Sequence, residues 1–233
     1  MRKRRLVFSV FLSLYIIASA VSAQTAAYPD PERFEEAIRA FEAEDADNTP
    51  PEGAIVGAGS SSMRGWHKTI SADLEPLTII PRGFGGSNMN DLLHFAERVV
   101  IKYKPRAVVI YEGDNDTASG ISPAEIRDTF NAFTAKVHDR LPQTRIYFLT
   151  IKPSVARWVM WSRMKRANEL IKAECDKSLL LTYLDVSTPM LDKSGVVRKD
   201  IFVEDNLHMN SAGYKIWTDA VRPILLKNEL EFE

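Results

Sequence analysis

Residues 57–64 read G-A-G-S-S-S-M-R and directly follow the apolar Ala54, Ile55 and Val56. Three hydroxyls at the end of a short buried strand have two uses. They can take up orphan backbone N–H groups in a turn or helix cap, or one can be a nucleophile, given a base and an oxyanion hole. A base is available downstream. In D-N-L-H, Asp205 and His208 stand three residues apart. In a tight or helical turn that spacing lets two side chains meet on one face. A carboxylate on one imidazole nitrogen fixes the tautomer and stabilises the imidazolium, leaving the other nitrogen as base. The alternative is a surface pair ahead of a helix capped by Asn210 or Ser211.

Two further clusters carry polar and glycine residues. Residues 82–88, R-G-F-G-G-S-N, make by themselves a strand-to-helix turn with Ser87 or Asn88 as cap. G-D-N-D at 113–116 fits a solvated turn. As a calcium loop starting at Asp114 it would put Ser119 where glycine is required and Ala118 where an oxygen ligand belongs, which excludes calcium. His67, His94 and His138 show neither i,i+4 pairing nor a cysteine neighbour, so no zinc site is legible. No metal and no cofactor is expected.

The elements that must hold these clusters alternate. Apolar runs at 54–58, 77–80, 107–111, 145–151 and 179–184 predict strands, and amphipathic runs at 90–103, 122–140, 158–177 and 211–226 predict helices. Strands apolar throughout are buried on both faces. The pattern therefore predicts an α/β protein, a three-layer α/β/α sandwich with about five parallel strands. Ligands of such sheets bind at the carboxyl ends of the strands. Each polar cluster follows a strand or precedes the last helix, so all four share that edge.

Upstream, an N-terminal helix is expected over 31–44, ended by Pro50 and Pro51 in the linker D-A-D-N-T-P-P-E-G. Residues 24–53 thus form a helix and linker ahead of a domain spanning 54–233. Residues 1–23 have the three parts of a signal peptide: Arg2-Lys3-Arg4-Arg5, an apolar stretch from Leu6 to Ala20, and Val21-Ser22-Ala23 before the cleavage point. The apolar stretch is shorter than the ~20 residues that span a membrane, so cleavage, export to the periplasm or medium and no stable membrane insertion are expected. The chain carries 30 Lys+Arg and 31 Asp+Glu, and loss of four basic residues with the leader leaves a formal net charge of −5. An acidic chain without a basic block has no footprint for nucleic acid. Cys175 is the only cysteine, so no internal disulfide forms.

Taken in order along the chain, Ser61, Gly86, Asn115 and the Asp205–His208 pair resemble the SGNH hydrolase superfamily, the GDSL-like esterases and lipases. The resemblance runs from Ala54 to Trp217 and is carried by G-F-G-G-S-N, Y-E-G-D-N-D and D-N-L-H-M-N-S-A-G-Y. It implies a flavodoxin-like fold and a serine esterase working through an acyl-enzyme. Ser61 would be the nucleophile, His208 the base and Asp205 its partner. The backbone N–H groups of Ser61 and Gly86 and the Asn115 amide would form the oxyanion hole. The first block departs from the family, with Gly59-Ser60-Ser61-Ser62 in place of Gly-Asp-Ser-Leu, a form similar to secreted bacterial members. Ser60 and Ser62 flank the nucleophile, and in an extended strand end neighbouring side chains point to opposite faces.

Arg64, Trp66, Arg157 and Trp158 are the candidate substrate contacts, and a charged rim with tryptophans suits a small-molecule or glycan ester, such as O-acetyl carbohydrate. The rival readings are a lysophospholipase or lipase-type acyl hydrolase, an O-acyltransferase on a glycan, and a non-catalytic carbohydrate-binding protein. Binding alone does not need a triad, which weighs against the last.

Overall fold

The computed structural model describes residues 26–233. The expected signal peptide lies outside them. Five strands form one parallel sheet: β1 (Ile55–Gly59), β2 (Ile79–Gly83), β3 (Ala107–Tyr111), β4 (Arg145–Leu149) and β5 (Leu181–Leu184). Their order is β2-β1-β3-β4-β5, the flavodoxin-like arrangement. The register aligns Gly59 with Gly83 on one side and with Tyr111 on the other, so three strands end level.

Helices cover both faces. On one lie α1 (Glu35–Asp47), α4 (Met89–His94), α5 (Ala96–Val99), α7 (Pro123–Arg140) and α8 (Trp161–Cys175), which pack on Val56, Ala58, Val108, Ile110, Ile146 and Phe148. On the other lie α2 (Ser61–Trp66), α3 (Ile70–Asp73) and α9 (Ser211–Glu229), which pack on Ile55, Val109, Tyr111, Tyr147 and Leu149. Alternate residues of each strand serve alternate cores. This is why β1 and β3 are buried at every position and read as continuous apolar runs.

Local chemistry sets the helix starts. Asn88 caps α4 in a reciprocal capping box with Asp91. Ser122 caps α7, with Pro123 in its first turn. Asn210, not Ser211, caps α9 by accepting from the Ala212 and Gly213 N–H groups.

Two of the expected helices are interrupted. Residues 90–103 form α4, α5 and a 3-10 turn at Ile101–Tyr103, because Phe95 leaves helical geometry (φ −88°, ψ 8°). Residues 158–160 form a separate 3-10 turn before α8. Short α2, α3 and α6 (Asp114–Ala118) were not expected at all.

The N-terminal helix forms after a 3-10 turn at Pro31–Phe34 that Asp30 caps, and it docks firmly. Arg98 pairs with Glu35 at 2.6 Å and Glu42 at 2.7 Å, while the buried Arg82 of β2 pairs with Asp45 and donates through Nε to Tyr103 Oη at 2.6 Å. Among the described residues no helix is long and apolar enough to cross a membrane.

Candidate active site

The carboxyl ends of β1, β2 and β3 place three of the polar clusters side by side. The first is a strand-to-helix elbow. Gly59 takes φ +139°, and a side chain there would collide with the Tyr111 carbonyl, so only glycine fits. Ser60 is buried at the cap position, where its N–H donates to the Tyr111 carbonyl at 3.1 Å. Its hydroxyl has no partner. Ser61 opens α2 and Ser62 is buried. The expectation of an extended strand end is corrected here: the backbone turns into a helix at Ser61, and the turn, not strand alternation, separates the three hydroxyls.

Residues 203–208 bring the fourth cluster over this elbow. His208 Nε2 lies 2.9 Å from Ser61 Oγ, and His208 Nδ1 lies 2.5 Å from Asp205 Oδ2. Asp205 Oδ1 accepts from the Leu207 and His208 N–H groups at 2.8 and 2.9 Å. The bond from His208 and these backbone donors hold the Asp205 carboxyl down to about 2. Asn206, at φ 57°, supplies the left-handed residue that folds the chain back. The loop is tied from below: the buried Lys152 donates to the Leu207 carbonyl at 2.8 Å, and the Ala156 N–H donates to the Asn206 carbonyl at 3.0 Å. Burial lowers Lys152 to about 8, offset in part by Asp114 and Asp205.

Gly86 and Asn115 come from the two neighbouring strand ends. Gly86 takes φ +93° in open space, with only Phe34 near, so backbone conformation alone calls for glycine. The turn closes from the Ser87 N–H to the Phe84 carbonyl at 3.3 Å. Asn115 donates through Nδ2 to the Ser87 carbonyl at 2.8 Å. An amide nitrogen carries two hydrogens, so one remains for another acceptor.

Beneath Asn115 lies a set of buried acids. Glu112 accepts from Ser87 Oγ at 2.5 Å, and Asp116 accepts from Tyr28 Oη and the Met89 N–H, each at 3.0 Å. Burial pushes Asp116 up to about 7 and Glu112 well above the usual carboxylate range. Asp91 is raised too, by burial, against the opposing pull of Asn88 and Arg33.

The four expected substrate contacts separate. Arg64 is exposed and runs past Gly85, within reach of Ser61. Trp66 is fully buried and donates to Asp73 Oδ2 at 2.7 Å, so it belongs to the core. Its substrate role is withdrawn, and the apolar spacing of Met63, Trp66 and Ile70 already marked a buried helical stripe. Trp158 is half-buried and stacks on Trp161 at 6.3 Å. Arg157 is engaged inside the protein, with Nη2 donating to Asn115 Oδ1 at 2.9 Å.

A cleft of about 680 Å³ opens beside Ser61 and His208, bounded by Lys68, Thr69, Asn210, Tyr214 and Lys215. A smaller, separate pocket of about 270 Å³ is lined by Phe34, Phe41, Arg64, Phe84 and Gly85. Among the described residues no His, Cys, Asp and Glu group is arranged to hold a metal ion.

The arrangement can move a proton from a serine hydroxyl to an imidazole and set hydrogen-bond donors against a new oxyanion. Known proteins share both family and fold. The GDSL-like Lipase/Acylhydrolase family model matches residues 47–216. A Streptococcus pneumonia protein provisionally assigned as a platelet activating factor superposes with a TM-score of 0.72 at 19% identity, covering 83% of this chain and 93% of its own. A GDSL-like lipase from Bacteroides thetaiotaomicron gives 0.69 at 18%, covering 82% and 97%. A mutant acetyl-xylooligosaccharide esterase from Geobacillus gives 0.59 at 16%, covering 76% and 94%. No curated protein is similar enough in sequence to be matched.

Proposed function

The chain belongs to the GDSL-like lipase and acylhydrolase family and is an ester hydrolase, and from that premise we propose that Ser61, His208 and Asp205 form its catalytic triad. The observation that carries this reading is the continuous chain from Ser61 Oγ through His208 to Asp205, at 2.9 and 2.5 Å. Ser61 Oγ attacks the ester carbonyl while His208 Nε2 takes its proton. The tetrahedral oxyanion is received by the Ser61 and Gly86 N–H groups and by the spare Nδ2 hydrogen of Asn115. His208 returns the proton to the leaving alcohol as the C–O bond breaks, giving the acyl-enzyme. Water then attacks by the same route in reverse order, releasing the acid and restoring Ser61.

The substrate proposed is an ester of a short acyl group on a carbohydrate, O-acetyl being the simplest. The larger cleft supports it: the Lys68 ammonium and the Thr69 and Tyr214 hydroxyls can serve a polyhydroxylated alcohol, while the Asn210 amide is taken up by the cap of α9 and its Nδ2 bonds. The exposed Arg64 lies beside Gly85, as does Ser61. One neighbour in fold acts on acetyl-xylooligosaccharides, in keeping with this choice. Export belongs to the same proposal, on the basis of residues 1–23. Mass spectrometry of secreted protein should find Gln24 as the first residue.

Fluorophosphonate labelling with peptide mapping tests the nucleophile. The label should fall on Ser61, and Ser61→Ala should abolish p-nitrophenyl acetate hydrolysis while Ser60→Ala and Ser62→Ala remain active. A label on Ser60 or Ser62 would overturn the assignment. Esters of graded acyl length, followed by acetylated xylooligosaccharides, then test the substrate. A rate that climbs with chain length sinks the acetyl reading.

A further inference from the structure

The segment leaving β4 touches both halves of the proposed site. Lys152 and Ala156 hold the loop that carries Asp205 and His208. Arg157 turns the other way, toward Asn115. Its Nη2 donates to Asn115 Oδ1 at 2.9 Å, while its Nη1 lies 3.0 Å from Asp114 Oδ2, an ion pair out of line for a hydrogen bond. The pair is shielded, with side-chain exposures of 19% for Arg157 and 6% for Asp114.

Asn115 is therefore gripped at both ends of its amide, Oδ1 by Arg157 and Nδ2 by the Ser87 carbonyl. The guanidinium has donors only, so the amide oxygen must face it. Flipped by half a turn, Asn115 would aim its oxygen at the Ser87 carbonyl and at the developing oxyanion, both repulsive. A charged donor on Oδ1 also withdraws density from the amide and strengthens Nδ2–H as a donor. Asp114 neutralises much of the Arg157 charge, which leaves little for an anionic substrate.

We propose that Arg157 is a positioning residue of the oxyanion hole: it fixes the orientation of the Asn115 amide and polarises it toward the reacting carbonyl. This rests on Asn115 acting as an oxyanion donor. A planar fork is needed to bridge Asn115 and Asp114 together, which a lysine ammonium does not reproduce.

The test is a double-mutant cycle in p-nitrophenyl acetate hydrolysis, with Arg157→Ala, Arg157→Lys, Asn115→Ala and the Arg157→Ala/Asn115→Ala pair. Each Arg157 variant should lose about tenfold in kcat with KM changed less than about twofold. In the Asn115→Ala background, Arg157→Ala should change kcat by less than about twofold. A rise in KM at unchanged kcat would make Arg157 a substrate contact and overturn the proposal. So would an Arg157 loss of equal size in both backgrounds, or full activity in Arg157→Lys. Should Arg157→Ala not fold, judged by its thermal midpoint, Arg157→Lys carries the same cycle. If Asn115→Ala keeps the full rate while Ser61→Ala is dead, the oxyanion reading fails and takes the proposal with it. A failure confined to Arg157 leaves Asn115→Ala strongly impaired.

Discussion

Two acidic regions flank Ser61, and they are built on opposite principles. Asp205 sits on a loop with its side chain 46% exposed, yet three donors keep it ionised. Glu112 and Asp116 are buried, each has a carboxyl oxygen without a partner, and burial drives both toward the neutral form. In the proposed mechanism the first region needs a permanent charge, because an imidazolium would form beside it. The second supports an amide and a glycine turn, for which a rigid frame matters more than charge. On the exposed Asp205 the donors act almost unopposed, whereas on Asp116 burial outweighs the donors it has.

Removing the charge where it is proposed to act should have the largest effect. Asp205→Asn should lower kcat by between about 10²- and 10⁴-fold, since an amide partner favours the wrong histidine tautomer. Steady-state kinetics at pH 8 checks it, and a loss under tenfold would mean the loop alone orients His208. Lys152→Met should come next, with about a tenfold loss in kcat as the Leu207 carbonyl loses its donor. Unchanged kinetics would show that the Ala156 to Asn206 bond suffices.

Asp116→Asn should leave activity within about twofold and act on stability instead. In the folded state Asp116 titrates near 7, above its ordinary 3.8. The folded state thus holds a proton that the unfolded chain releases, and stability falls as pH rises from about 4 to 7. The asparagine removes that fall and keeps the Oδ1 acceptor for Tyr28 and Met89. Urea melts should show the variant gaining about 2–3 kcal/mol on the parent between pH 5 and pH 8. A constant difference across that range would contradict a protonated Asp116.

Lys152 gives the smallest and most alkaline signal. Its folded value of about 8 lies below the ordinary 10.5. Here the unfolded chain binds the extra proton, so this group raises stability between about pH 8 and 10.5. Lys152→Met should flatten that rise in the same melts.

Much of the fold was legible because burial on both faces writes a simple pattern. The strands were readable as apolar runs to within a few residues, and the long helices by their period. The break at Phe95 was not, since Leu92, Ala96 and Val99 keep the apolar period going through it while the backbone changes geometry. The juxtaposition of Ser61, Asp205 and His208 was foreseeable from three short motifs at one sheet edge. Trp66 was misread because an aromatic near a nucleophile resembles a sugar platform, although its spacing from Met63 and Ile70 pointed inward. Arg157 was expected to face substrate. Nothing local reveals that its partner stands 42 residues away, and the same holds for Tyr28 on Asp116, 88 residues apart.

That last contact gives the N-terminal segment a second significance. The family match begins at residue 47, yet Tyr28 covers Asp116, Arg33 pairs with Asp91 at 2.5 Å and Phe34 stands against Gly86. These residues sit as a stopper over the acidic floor of the proposed oxyanion side. A fragment trimmed to the matched boundary would let water reach Asp116 and Asp91, return their carboxyls to ordinary acidity and set like charges against one another beneath Asn115. The packed body therefore includes residues that precede the family match, with Tyr28 the one that reaches Asp116.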